Sequence, residues 1–272
     1  MNSKPSTYIL GSTDAEHERL IWQAIRVAPP TERLFREAGI GTGQRVLDVG
    51  SGLGDVSMLL ARLVGPTGEV VGLERDAKSL ARAEARVREA RLRNVAFVQA
   101  DLNELPTGRK FDGAVGRFVL MFLPDPTAVL RSLAQVVRPG GVLAFLEPSW
   151  APVLARIATL PLWSQTAALI HQTMLRTGVN PEMGADLYWK FQEAGLPPPT
   201  MLQETPLGRD IDFAEWFVGL VRTLEPRMKE LRLPVEAVGE LGTLARRMQT
   251  EVESSNVLAA WVAPVGVWAR NP

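Results

Sequence analysis

Cysteine is absent from the 272-residue chain, and histidine nearly so, with only His17 and His171. The first absence excludes disulfides, thiolate metal ligands and cysteine nucleophiles, and the second excludes a histidine-rich metal centre. An excess of charge is also missing. Thirty basic side chains balance thirty acidic ones and the pI is about 6.8, so no global field draws the chain onto a phosphate backbone. No run of about 18 apolar residues goes without a charge, and MNSKPSTYILGSTD lacks the apolar centre of a signal peptide. The expectation is a soluble cytoplasmic protein with no membrane span and no nucleic-acid partner. With 46% hydrophobic and 22% charged residues, there is material for one large or two small compact domains.

Up to about residue 148, short β-rich runs alternate with helical periodicity, the pattern of a parallel sheet covered on both faces. Segments 45–50, 69–75, 95–100, 111–118 and 142–148 read as five strands. Between them, Val56, Leu59, Leu60 and Leu63 fall at helical spacing, as do Ala77, Leu80, Ala83 and Val87. Lys78, Arg82, Arg86, Arg88 and Arg91 face elsewhere, mixed with Glu84 and Glu89, and read as a solvated helix face. Asp125 and Pro126 open a helix over 126–137 that Pro139-Gly140-Gly141 stops. Thr13 and Glu16 form a capping box ahead of a stripe of Leu20, Ile21, Ala24 and Ile25.

After residue 148 the pattern shifts to apolar helices over 150–177 and 183–194, an insertion suited to a pocket wall or lid. Segment 201–209 reads as a sixth strand. Asp212 with Glu215 caps a helix, and Pro234 opens another carrying Val238, Leu241, Leu244 and Met248. Segment 257–270 is strand-like, with Pro264 arguing for an edge or a bend.

The run VLDVGSGLGD, residues 46–55, places glycines between a strand and a helix, where backbone N–H groups and a positive helix end meet ligands at the carboxyl edge of a sheet. A dinucleotide loop would space its glycines as G-x-G-x-x-G. Here Gly50, Gly52 and Gly54 are flanked by Asp48 and Asp55, carboxylates that suit a cationic guest better than a diphosphate.

These residues resemble motif I of class I S-adenosylmethionine-dependent methyltransferases, of the small-molecule type related to quinone biosynthesis. Further matches follow in family order. Glu74 stands 22 residues after Gly52, where the family holds the ribose hydroxyls; Asp101 and Leu102 stand where it holds adenine. FDGAVGRFVLMFLPDP resembles the fourth-strand motif and VVRPGGVLAFLEP the turn into strand five. The resemblance implies an α/β fold: a seven-stranded Rossmann-like sheet, last strand antiparallel, with helical lid insertions. It implies S-adenosyl-L-methionine as cofactor, bound by Gly50, Ser51, Gly52, Asp55, Glu74, Arg75, Asp101, Leu102 and Arg117. Asp48 is expected to contact the cofactor's amino end or to order the loop. Tyr8, Arg19 and Gln23, from a segment similar to the family's N-terminal helix, are expected at the methionine end. The parts are then a helical cap over 1–40, a cofactor-binding core over 41–148, pocket insertions with the sixth strand over 149–256, and the final strand over 257–272.

The implied reaction is methyl transfer to an oxygen, nitrogen or carbon of a small molecule. The apolar insertion favours a hydrophobic or aromatic acceptor, with Trp150, Trp163, Met174, Met183, Tyr188, Trp189, Phe191, Trp216 and Phe217 as wall candidates. Glu147, His171 and Asp14 are the candidate bases. A histidine common in the strand-four turn of such proteins is replaced by Phe122. No Asn-Pro-Pro-Tyr or Asp-Pro-Pro-Tyr follows strand four, which counts against amide or adenine methylation. Three rivals stay open: a donor-binding module without catalysis, an NAD-dependent oxidoreductase, which would need a third glycine later than Gly54, and methylation of protein or RNA, which would need a local basic patch. A homodimer is also an open expectation.

Overall fold

The computed structural model describes residues 10, 13–102, 105, 108 and 110–272. Helix α1 (Asp14–Glu37) leads into β1 (Arg45–Val49), α2 (Asp55–Val64), β2 (Glu69–Glu74), α3 (Ala77–Glu89) and β3 (Val95–Gln99). Strand β4 (Phe111–Arg117), a short 3₁₀ turn at Leu120–Phe122, α4 (Pro126–Val136) and β5 (Val137–Ser149) follow. The insertion supplies α5 (Ala151–Ile157), α6 (Pro161–Arg176) and α7 (Met183–Glu193). Then come β6 (Thr200–Gln203), β7 (Leu207–Gly208), α8 (Ile211–Glu230), α9 (Leu241–Glu253), β8 (Ala259–Ala260) and β9 (Ala263–Arg270).

The main sheet has the order β3-β2-β1-β4-β5-β9-β6, with β9 antiparallel to both neighbours; β7 and β8 pair separately. From β1 the chain steps outward through β2 to β3, and from β4 it steps the opposite way to β5. Right-handed crossovers therefore put α2 and α3 on one face and α4 on the other. Helix α1 packs beside α2, and α7 beside α4. The reversal between β1 and β4 opens a crevice at their carboxyl ends, where sheets of this kind hold ligands. Strand β1 is central, with four of its five residues buried, whereas the edge strand β3 has none. Among the described residues, no helix is long and apolar enough to cross a membrane.

The expected caps hold at two helices. Thr13 accepts from the Glu16 N–H and Asp125 from the Ala128 N–H. Several expected boundaries move. The buried stripe of α1 runs through Ala24, Val27, Leu34 and Phe35, and Ile25 is left 71% exposed. Strand β5 begins at Val137, not Val142, because the helix has already ended at Val136 and Pro139-Gly140-Gly141 falls within the strand as a bulge. Register shifts between Phe111 and Gly113 of β4, Gly140 takes φ +72°, and Asn271 bonds the strand on either side.

Segment 150–177 divides at Pro161 into α5 and α6. Segment 201–209 divides around Pro206 into β6 and β7. Pro234 precedes a 3₁₀ turn, Val235–Val238, which Gly239 closes at φ +70° before α9 starts. Asp210, and not Asp212, holds the position before α8, and its side chain makes no capping hydrogen bond. Pro264 lies within β9, an interior strand and not an edge. It faces Pro148 across the β5 pairing, and β6 ends one pair earlier at Gln203 and Val265, so its missing N–H is not required.

Candidate active site

Strand β1 enters the crevice at the glycine loop. Gly50 and Gly52 sit at φ +65° and +53°, a region that side chains resist. A Cβ on Gly50 would stand 2.5 Å from the Val119 Cγ2, so the loop also needs the missing side chain in order to pack against the turn after β4. The Ser51 hydroxyl is buried there with no hydrogen-bond partner, and Ser51 lines the cleft. An unpaired hydroxyl in such a place fits a ligand that brings a polar group.

Glu74, at the end of β2, accepts from the Gly52 N–H at 2.9 Å and from the Asp76 N–H at 2.8 Å. Asp48 is 1% exposed and accepts from the Ser57 hydroxyl at 2.5 Å. Burial pushes its carboxyl up to about 7, against the hydrogen bond from Ser57 and the nearby Arg117. Asp48 thus ties β1 to α2 beneath the loop, and among its expected roles the ordering of the loop is the one this geometry supports. Asp55 lines the cleft but is held bidentately by Arg86, at 2.7 and 3.0 Å, and Arg86 also donates to the Leu53 carbonyl. The charge expected of Asp55 is therefore partly met from within the protein.

Arg117 ends β4 at the cleft and donates to the Thr31 hydroxyl at 3.3 Å. Burial lowers its pKa, opposed by Asp55 and Asp48. Beyond it, Phe118 takes φ +53°, a costly conformation for a large side chain and one found most often at functional sites. The turn that follows carries Met121 and Phe122 into the cleft wall.

The roof comes from α1. Arg19 donates to both oxygens of buried Glu16, at 2.6 and 2.7 Å, and to the Gln23 Oε1 at 2.9 Å. From α8, Thr223 donates to Glu16 and the Trp216 indole N–H to the Gln23 Oε1. Both Arg19 and Gln23 line the cleft, so the Arg19–Glu16 pair is part of the roof and not a surface decoration.

The three candidate bases stand away from the cleft, Asp14 being exposed at the start of α1 and absent from the cleft wall. The Glu147 carboxylate is fully buried and accepts from the Val119 and Leu120 N–H groups, each at 2.9 Å, and from Met121 at 3.3 Å. It caps the turn after β4, and its burial outside the cleft lining closes it off from an acceptor. Burial pushes it up to about 7, with those three N–H groups pulling the other way. His171 stands beside Trp150, ring centroids 6.2 Å apart, and does not line the cleft; burial lowers its pKa, opposed by Glu182.

Arg75 and Asp101 lie exposed after β2 and β3, and Leu102 is half-buried against the core; none of the three lines the cleft. Tyr8 lies outside the described residues. Of the apolar wall candidates, Trp150, Met174 and Trp216 reach the cleft, while Trp163, Met183, Phe191 and Phe217 are buried in the core. Tyr188 and Trp189 pack edge to face on each other, with Trp189 63% exposed. Sequence reasoning missed Phe118, Met121, Leu220 and Val262 as lining residues. No local signal marks them, because they meet only through the tertiary fold.

The strand order, the reversal at β1 and β4 and the glycine loop with its acidic partner on β2 define the class I methyltransferase architecture. The methyltransferase domain family matches residues 40–195, and the chain belongs to that family. Demethylmenaquinone methyltransferase of Staphylococcus aureus is 34% identical over 139 residues, which are 51% of this chain and 54% of the relative. The chain spans about half the length of the curated relatives it matches. Among solved structures, a Bacillus halodurans C-125 protein assigned as a methyltransferase superposes with TM-score 0.57 at 16% identity, over 89% of this chain and 98% of that one. Coclaurine N-methyltransferase, bound to N-methylheliamine and S-adenosylhomocysteine, gives TM-score 0.54 at 16% identity, over 89% of this chain and 72% of its own. At these identities the superpositions speak for the fold alone.

Proposed function

We propose that the cleft binds S-adenosyl-L-methionine and delivers its methyl group to an oxygen, nitrogen or carbon of a small hydrophobic or aromatic molecule. The observation that carries this reading is the glycine loop at the β1–β4 reversal, with a buried unpartnered hydroxyl on Ser51, opening onto a wall of tryptophan, phenylalanine and methionine. When bound, the cofactor supplies a methyl group on a positively charged sulfur, already a good leaving group.

The chain's own residues hold and orient. Glu74 receives the ribose hydroxyls, and Asp101 and Leu102 the adenine, with Arg75 at that end of the site. Gly50, Ser51, Gly52 and Asp55 cradle the methionine portion, while Arg117, Arg19 and Tyr8 serve its charged end. Met121, Phe122, Trp150, Met174 and Trp216 exclude water around the reacting atoms. Positioning of this kind is worth about 7 to 11 kcal/mol, and a dry pocket favours dispersal of the sulfur charge. Among the described lining residues the one carboxylate, Asp55, is engaged by Arg86, and no imidazole is present. The acceptor therefore arrives as a competent nucleophile.

Incubation with donor labelled in its methyl group, against phenols, quinols, amines and cell extract, tests the reading. Transfer to a small molecule is expected. Tight donor binding without transfer to any of these would favour a binding module instead.

A further inference from the structure

The Gln23 carboxamide is oriented by its neighbours. Its Oε1 accepts from the Arg19 Nη1 at 2.9 Å and from the Trp216 Nε1 at 3.0 Å. Guanidinium and indole N–H groups can only donate, so the oxygen must face both of them. Rotating the amide would set its NH2 against two donors and break both bonds. The arrangement is also braced from behind, because Glu16 holds Arg19 through both oxygens and is itself held by Thr223. The Gln23 Nε2 is left with both hydrogens and no partner among the described residues, on a side chain that lines the cleft.

Its surroundings are apolar and flat. Trp216 stands 5.8 Å from Trp150, centroid to centroid, with the rings tilted by 30°, and Met174 and Leu220 extend the same wall. An N–H donor in such a wall loses hydrogen bonding when the cleft closes on a ligand, unless the ligand brings an acceptor atom. Of the other side-chain donors of the cleft, Arg19 is held by Glu16, Arg117 bonds Thr31 with Asp48 and Asp55 close by, and the unpartnered Ser51 hydroxyl belongs to the glycine loop assigned above to the cofactor.

We infer that Gln23 is the specificity-determining donor for the methyl acceptor, and that the acceptor is a flat, largely apolar ring bearing a carbonyl or oxyanion that the Gln23 amide receives. This inference rests on the donor-site reading above, and it moves Gln23 from the methionine end to the acceptor. Such a site discriminates by chemistry more than by size, since a ring lacking the oxygen leaves the amide unpaired.

Two measurements separate the roles. Binding of S-adenosylhomocysteine is measured by calorimetry in the unmutated protein, in Gln23→Leu and in Gln23→Glu. The last keeps an oxygen for Arg19 and Trp216, removes the donor and adds a negative charge beside Arg19. The protein saturated with S-adenosylhomocysteine is then titrated with 1,4-naphthoquinone, 2-naphthol and naphthalene, read by quenching of tryptophan fluorescence; there is no cysteine for the quinone to arylate. The unmutated protein should bind the two oxygenated rings about tenfold tighter than naphthalene, roughly one hydrogen bond's worth. Both variants should lose the preference for 1,4-naphthoquinone, whose oxygens can only accept, while their S-adenosylhomocysteine affinity stays within about twofold. The inference is overturned if the unmutated protein shows no preference for oxygenated rings, or if either variant retains it for 1,4-naphthoquinone. A variant that loses S-adenosylhomocysteine binding instead would return Gln23 to the cofactor. Failure of the unmutated protein to bind S-adenosylhomocysteine would sink the donor-site reading and this one with it.

Discussion

Replacing Glu147 by glutamine should change how stability depends on pH, and the size of the change follows from its surroundings. The carboxyl is fully buried between β5 and the turn after β4, and burial moves it from the ordinary 4.5 up to about 7. The folded chain therefore holds this proton more tightly than the unfolded chain does, so protonation favours folding. The stabilisation is complete below pH 4.5 and is lost as the pH rises through 7. At about 1.4 kcal/mol for each tenfold in proton affinity, the loss between pH 5 and pH 8 is roughly 2 to 3 kcal/mol. Urea unfolding of the unmutated protein and of Glu147→Gln at both pH values isolates that share. The variant carries a further cost, since its NH2 opposes the Met121 N–H, but that cost is the same at both pH values and cancels in the difference. Stability should fall less steeply with pH in the variant, by the stated amount. Asp48, raised from 3.8 to about 7 by burial, adds a second slope of the same sign in both proteins. Equal pH dependence in the two proteins would refute the account of Glu147.

Other expectations concern the donor site and the residues displaced from it. Glu74→Ala and Asp101→Ala should each weaken S-adenosylhomocysteine binding by about 1 to 3 kcal/mol in calorimetry, because each strands polar groups of the ligand; unchanged affinity in both would refute their placement. Gly50→Ala forces a side chain to φ +65° and against Val119, and should cost roughly 1 to 3 kcal/mol of stability in thermal unfolding. A variant as stable as the parent would show that the loop has another way to pack. Once an acceptor is in hand, His171→Ala should leave the shape of the pH–rate profile unmoved, since the ring packs behind Trp150; loss of a titrating limb would restore it as a base.

The parallel core was legible because its determinants are local. The hydrophobic periods, the Asp125–Pro126 start and the glycine loop each act over a few residues. The start and the loop landed where the pattern put them, while the α1 stripe and the start of β5 moved. The elements after residue 148 were harder, because prolines divide apolar runs whose limits are set by packing. Pro264 shows why: a residue that argues for an edge is accommodated in an interior strand once Pro148 faces it and β6 has ended. In the site, residue types were readable and their partners were not. Nothing near Asp55 in sequence announces Arg86, and nothing near Glu147 announces three backbone N–H groups from 119–121. Carboxylates expected to meet ligands also meet the protein itself, and those partners belong to distance in space.

The end of β5 is gripped twice in this manner. Glu147 holds the backbone of 119–121, and Glu182 receives the Ser149 hydroxyl and the N–H groups of Trp150 and Ala151. Both rims of the cavity are thus anchored through groups common to almost every amino acid, whatever side chain it bears. Descendants could exchange Met121, Phe122 or Trp150 for other residues, and so adopt new molecules to modify, while the frame that presents them kept its shape. Evolutionary change of taste is cheap where the scaffold grasps the main chain and leaves the side chains at liberty.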